Sequence, residues 1–88
     1  PRARGVAQGG VVVPGDMRPD EIEEIADIAV PESPAYETLG GFVMATLGRV
    51  PAVGDVAEAG GVRAVVESMD GRRIEVVRLT QLELEVGE

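Results

Sequence analysis

The chain has 88 residues, enough for one domain with a single modest core. Its formal net charge is −8 and only 2% of its residues are aromatic, which argues against nucleic acid and anionic membrane surfaces as partners. The sequence contains no Cys and no His, so it excludes disulfides, thiolate metal sites, and Ser-His-Asp or Cys-His catalysis within this chain.

The N-terminal stretch, residues 1–10, is polar and contains glycine, and we interpret it as a linker or boundary segment before a domain over residues 11–88. The valines at 11–13, ended by a Pro-Gly turn signal, predict a short strand that is buried on both sides. No apolar run approaches the roughly 20 residues of a transmembrane helix, so we expect no direct membrane insertion by this chain.

A first helix is predicted over residues 17–30. Pro19 suits its first position, because the N–H that proline lacks would have no partner there. Acidic residues crowd the first turns, where the helix dipole favours them. The predicted buried face consists of Ile22, Ile25, Ala26 and Ala29, widened by Ile28. The proline-rich segment 30–34 then ends the helix.

A second helix is predicted over residues 38–48. Thr38 is a good N-cap, and Gly48 is suited to the left-handed residue that follows a helix. Two adjacent glycines, Gly40 and Gly41, lie inside this helix, although each costs roughly 1 kcal/mol relative to alanine. Such a pair demands a structural or a functional explanation.

From residue 54 onward the apolar pattern changes from the helical to the strand period. Three strands are predicted, over 54–59, 62–69 and 72–79, and Asp70-Gly71 is a hairpin signal between the last two. Residues 80–88 add an edge strand or fray. The predicted fold class is therefore α+β, with a short N-terminal strand and two helices packed on an antiparallel β-meander.

The glycine pair has two interpretations. Backbone N–H groups at the start of a helix can bind a phosphate, so Thr38, Gly40 and Gly41 are candidate ligand-binding residues. The alternative, which we favour, is that the glycines let the helix approach the sheet closely. Arg49 either caps the carbonyl end of this helix or pairs with a carboxylate of a partner domain, and the capping role is the favoured one.

No catalytic residues and no metal ligands are predicted. Glu21, Glu24 and Asp27 share a helix face and offer oxygen ligands, but a solvated face that complements the helix dipole is the better interpretation. Arg72 and Arg73 are expected beside the hairpin turn, facing Glu67 across the strands. We therefore expect a protein that is not an enzyme.

Three stretches occur in a recognisable order: VPGDMRPDEIEEI, then YETLGGFVMATLGRVPAVGD, then GVRAVVESMDGRRIEVVRL. Over residues 11–79 this order resembles the CorC/HlyC transporter-associated domain. The resemblance implies a domain at the C-terminus of a bacterial, hemolysin-like membrane protein linked to Mg and Co transport. It also implies a position at the cytoplasmic face of the inner membrane, with neighbouring CBS and membrane domains, or a second copy in a homodimer, as partners.

The same resemblance implies a fold similar to a small flavin-binding domain, and hence flavin adenine dinucleotide (FAD) or another adenine nucleotide as a possible ligand. Thr38, Gly40, Gly41, Arg49 and Asp55 would then form the site. The acidic charge and the scarcity of aromatic residues argue against this ligand. We therefore expect a non-catalytic regulatory and interaction module, with FAD or adenine-nucleotide binding as the alternative.

Overall fold

A computed structural model describes residues 10–82, in which two helices lie against one face of a four-stranded antiparallel sheet. The elements in chain order are β1 Val11–Pro14, α1 Pro19–Ala26, α2 Leu39–Leu47, β2 Val56–Ala59, β3 Val62–Asp70 and β4 Arg73–Gln81. The strand order β1-β4-β3-β2 confirms the predicted α+β class, with β2, β3 and β4 forming the meander. Most of the predicted linker, and residues 83–88, lie outside the described residues.

The β3–β4 hairpin is the centre of the sheet. It pairs Ala64 with Leu79 and Val66 with Val77 on the face that the helices cover, and a β-bulge interrupts the register after Val66. The hairpin is confirmed, but its turn lies one residue later than Asp70-Gly71 predicts, because Asp70 pairs with Arg73. Gly71 has a φ of +66°, which glycine adopts readily at the first central position of such a turn.

The core is almost entirely aliphatic. It joins the inward side chains of the sheet to both helices and the loop between them, and its largest fully buried side chain is Phe42. The ring of Tyr36 meets Phe42 edge-on, with centroids 5.6 Å apart. The Tyr36 hydroxyl donates to the Pro31 carbonyl, and burial, followed by the nearby Glu32 carboxylate, raises the pKa of this hydroxyl.

The first strand is not buried on both sides, as its three valines predict. β1 is an edge strand that pairs only with β4, and the helices cover one of its faces. Val13 is therefore 3% exposed, whereas Val12, which points to the other face, is 51% exposed. A run of three β-branched residues predicts a strand but does not say whether that strand is central or at an edge.

The first helix ends at Ala26, four residues before its predicted end. Asp27 takes the left-handed conformation, with a φ of 59°, and its N–H donates to the Glu23 carbonyl. This change of direction brings Ile28 into the core from the following loop, whereas Ile25 stays 64% exposed on α1. The predicted buried face is therefore wrong at Ile25 and at Ala29, which lies beyond the helix and is exposed.

The two isoleucines of α1 allow a matched test of this corrected face. We expect Ile22→Ala to lower the free energy of unfolding by about 2–5 kcal/mol, because Ile22 is fully buried. Ile25→Ala should change it by less than about 0.5 kcal/mol. Urea unfolding monitored by circular dichroism measures both values. Equal losses from the two variants would contradict the burial described for this helix.

Candidate functional site

The start of α2 is the part of the fold where the predicted ligand-binding residues lie. Thr38 is the N-cap, as predicted, and its hydroxyl Oγ1 accepts a hydrogen bond from the Gly41 N–H at 3.2 Å. The Thr38 carbonyl accepts from the Phe42 N–H at 2.9 Å. The Gly41 N–H is one of the groups that a helix start leaves without a helical partner, whereas the Phe42 N–H makes the first hydrogen bond of the helix itself.

The remaining two N–H groups of this turn bond to the segment between β1 and α1. The Leu39 N–H donates to the Met17 carbonyl at 2.9 Å, and the Gly40 N–H donates to the Gly15 carbonyl at 2.8 Å. All four donors are therefore bonded to oxygen atoms of the protein. A phosphate bound at this helix start would have to replace some of these bonds.

Close packing explains the glycines at this contact. A Cβ atom on Gly15 would lie 2.3 Å from the carbonyl oxygen of Ile74 in β4, a distance that no real Cβ shows. A Cβ on Gly40 would lie 3.2 Å from the Gly15 carbonyl, and one on Gly41 would lie 2.7 Å from the Cβ of Tyr36. Gly40 thus lets α2 approach the sheet, whereas Gly41 accommodates the loop before its own helix.

A shallow depression lies beside this contact. Its lining combines residues of the segment between β1 and α1, of α2 and its N-cap, and of the start of β4: Gly15, Asp16, Thr38, Gly40, Gly41, Met44, Arg73 and Ile74. Arg73 is the one basic residue among these lining residues. The sequence predicts Arg73 only beside the hairpin turn, because nothing local in the sequence shows that β4 begins next to α2.

Arg49 and Asp55 lie at the opposite end of α2 from this depression. The nine residues of α2 separate the two ends by about 13 Å. The structure therefore divides the five predicted site residues into two groups rather than one site. Arg49 Nη1 donates to Asp55 Oδ2 at 2.8 Å within the same chain rather than to a carbonyl at the end of α2, and its pairing with a partner domain stays a prediction.

The Arg49–Asp55 ion pair fixes the conformation of the loop between α2 and β2. Asp55 Oδ2 also accepts from the Ala52 N–H at 2.9 Å, and the loop bonds to β3 through Gly54 N–H to the Val66 carbonyl at 2.8 Å. The Ala52 N–H first, and the Arg49 guanidinium second, lower the pKa of the Asp55 carboxyl. These contacts give the RVPAVGD stretch, residues 49–55, a structural role: it forms the ordered turn that leads from α2 to β2.

The acidic residues do not converge on a common point. Within residues 10–82, no group of three or more carboxylates is placed to hold a metal ion. Glu21 Oε1 instead accepts from the Arg18 N–H at 3.0 Å at the start of α1. Glu67 pairs with Nε of Arg78 at 3.0 Å, so the predicted contact of Glu67 with Arg72 and Arg73 is wrong. The reason is register, which places Arg78 within reach of Glu67.

Neither helix in the described part of the chain is long and apolar enough to cross a membrane.

Comparison with known families assigns the fold. The profile of CorC_HlyC, described as the transporter associated domain, matches residues 4–83. The chain belongs to the CorC_HlyC family. The resemblance stated from its motifs is thereby confirmed, and with it the link to a domain type that accompanies transporters.

Curated relatives of this CorC_HlyC domain are much longer proteins. A UPF0053 protein of Synechocystis is 40% identical over 77 residues, which cover 84% of this chain and 17% of the relative. The polyamine export protein of Salmonella typhimurium is 32% identical over 78 residues, covering 89% of this chain and 16% of that protein. The chain thus spans less than a fifth of the length of these relatives.

Solved structures share the fold. A conserved domain from Neisseria meningitidis aligns with a TM-score of 0.71 at 31% identity, covering 84% of this chain and 99% of that one. The CorC_HlyC domain of a Xylella fastidiosa hemolysin, in complex with Mg and Mn, aligns with a TM-score of 0.67 at 28% identity. That alignment covers 82% of this chain and 86% of the Xylella domain.

The packing explanation of the glycines predicts the effect of Gly41→Ala. We expect this variant to lose about 1–3 kcal/mol of unfolding free energy, because the new Cβ displaces Tyr36 despite the better helix propensity of alanine. Gly40→Ala should stay within about 1 kcal/mol of wild type, since its contact is less severe and the propensity gain offsets it. A fully stable Gly41→Ala variant, measured by denaturant unfolding, would contradict the packing role of Gly41.

The lowered pKa of Asp55 predicts a pH effect. A carboxyl whose pKa is lowered in the folded state contributes stability that is present above its unfolded pKa of about 3.9 and is lost as the pH falls through the folded pKa. We therefore expect Asp55→Asn to lower the melting temperature at pH 7 and to lose less stability than wild type between about pH 5 and pH 2.

Asp16→Asn is the control for this pH series. It removes the same charge from an exposed side chain with no hydrogen bond to the residues described. Parallel pH profiles for wild type and Asp55→Asn would contradict the bracing role of Asp55.

Proposed function

We propose that this domain is a non-catalytic regulatory and interaction module of a hemolysin-like membrane protein linked to divalent-cation transport. It would act by packing against neighbouring CBS and membrane domains, or a second copy of itself, at the cytoplasmic face of the inner membrane. One observation carries the proposal: the polar groups of the candidate site are bonded internally, whereas large apolar side chains stay exposed. These are Val11, Val12, Ile25, Val50, Val53 and Val56.

The comparisons support a role in transport. One structural relative is described as a region associated with a Mg²⁺ and Co²⁺ transporter, and one curated relative as a polyamine export protein. Both descriptions concern the transport of cations, and they apply to those relatives rather than to this chain. For this chain we propose a cation as the cargo of the transport system that it serves.

The test is deletion of residues 11–79 from the transport protein that carries this domain, with a Gly/Ser linker in its place. We expect the protein to reach the membrane at its normal level and its export of Mg²⁺, Co²⁺ or polyamine to change at least severalfold. The readout is cellular cation content after loading, in a strain without other exporters. Glu23→Gln, at an exposed polar position of α1 outside the apolar set, serves in the intact protein as the control that leaves the fold unchanged. Wild-type export after deletion would refute the proposed role.

Binding of FAD or an adenine nucleotide is the second candidate. The depression beside Thr38, Gly40 and Gly41, with Arg73 in its lining, is the observation that favours it. An amide NMR titration of the chain with FAD, and in parallel with ATP, tests this function. Shifts confined to this depression that saturate at micromolar ligand, and that Arg73→Gln but not Arg72→Gln abolishes, would establish binding. No shifts up to millimolar ligand would refute it.

A further inference from the structure

The tip of the β3–β4 hairpin carries an aspartate that is followed by glycine. Asp70 ends β3 and pairs with Arg73 of β4, so Gly71 and Arg72 form a two-residue turn between the strands. All four residues are exposed to solvent. Gly71 has a φ of +66°, and a Cβ atom there would meet no atom within 4 Å beyond its own neighbours in the chain. Nothing in the described part of the chain therefore shields this side of the turn.

An aspartate that precedes glycine can react with its own backbone. The amide nitrogen of the glycine attacks the side-chain Cγ of the aspartate, one water molecule leaves, and a five-membered succinimide ring forms. Water then opens this ring at either of its two carbonyl groups. One opening restores aspartate, and the other gives isoaspartate, in which the main chain continues through the former side-chain carboxyl group. Because one water molecule leaves and one enters, the reaction needs no oxidant, reductant or other co-reactant.

The hairpin turn leaves both reacting groups free. The Asp70 carboxylate makes no hydrogen bond or ion pair with the residues described, and the Gly71 N–H has no hydrogen-bond partner among them. Turn geometry explains the free N–H, because the bonds that close a two-residue hairpin loop join its flanking residues, here Asp70 and Arg73. Glycine also has no side chain that could obstruct the approach of Cγ to the nitrogen.

The other aspartates of the chain lack this combination, since each precedes a residue that has a side chain. The Asp55 carboxylate is held by the Arg49 guanidinium at 2.8 Å. Asp20 lies within α1, where the helix fixes its backbone. Asp27 precedes Ile28, whose branched Cβ crowds the amide nitrogen. The chain also contains no asparagine, which would form the same ring with loss of ammonia.

We propose that Asp70 is a site of isoaspartate formation in the folded protein. The reaction keeps the charge of the chain but adds one carbon atom to the backbone between β3 and β4. A two-residue turn has no slack to absorb that atom, so the Asp70–Arg73 pair at the tip is the first to be lost. The next pair joins Met69 to Ile74, whose carbonyl lies against Gly15. The modification therefore acts beside the close approach of Gly15 to β4.

Incubation of the folded 88-residue chain in H₂¹⁸O at neutral pH tests this site. Hydrolysis of a succinimide adds one ¹⁸O atom, and trypsin releases Asp70 in the peptide 64–72, because it cleaves after Arg63 and Arg72. Mass spectrometry of this peptide should show the label, and chromatography should resolve a second isomer of equal mass. We expect label at Asp70 at least tenfold faster than at Asp16, an exposed aspartate that precedes methionine. Equal rates at the two positions overturn the proposal.

Two comparisons separate the effect of the fold from that of the Asp-Gly sequence. The chain unfolded in guanidinium chloride gives the rate of the sequence by itself, and the folded chain should react at no less than a tenth of that rate. A folded chain that takes up no label while the unfolded chain does would show that the turn protects the bond, which overturns the proposal. Asp70→Glu keeps the charge but cannot form the five-membered ring, so the label should disappear. Label that persists in this variant would come from another group and would equally overturn the proposal.

Discussion

At Gly15, backbone hydrogen bonds join three segments: the turn after β1, strand β4 and the start of α2. The rest of the structure depends on this contact. The Gly15 N–H donates to the Glu75 carbonyl in β4 at 2.9 Å, and the Gly15 carbonyl accepts from the Gly40 N–H at the start of α2 at 2.8 Å. Any side chain at position 15 would meet the Ile74 carbonyl. This contact places α2 against the sheet, and it also uses the N–H groups that a ligand at this helix start would need.

Features that depend on near neighbours in the chain could be predicted from the sequence. The second helix, with Thr38 and Gly48 at its ends, and the β3–β4 hairpin follow from capping and turn chemistry. Features that depend on tertiary contacts could not. The edge position of β1 depends on its pairing with β4, and the Arg49–Asp55 pair depends on how the intervening loop folds back. For the site, the helix start was predicted, but the separation of its members and the approach of Arg73 required the fold.

The two sides of the sheet differ in their charged and apolar side chains. The helix side carries most of the negative charge, and charges of one sign there favour contact with water over contact with another acidic surface. The other side of the sheet carries the ion pairs Arg63–Glu58 and Arg78–Glu67, with exposed valines, Val12 and Val56, on its two edge strands. A domain of this kind is suited to binding other folded surfaces through its sheet. The acidic residues on its helix side repel other acidic surfaces and so oppose association through that side. This division is the structural basis for the interaction role that we propose for this CorC_HlyC domain.

Amide hydrogen exchange at Leu39 and Gly40 tests the central claim most directly. First-turn amides of a helix ordinarily exchange quickly, because they have no partners within the helix. The account predicts that these two amides, bonded to Met17 and Gly15, exchange as slowly as the Val66 amide, which bonds to Asp55 beside the central hairpin. Exchange at the rate of an open loop would show that the donors are not held by the protein. That result would contradict the packing account and leave these groups available to a ligand.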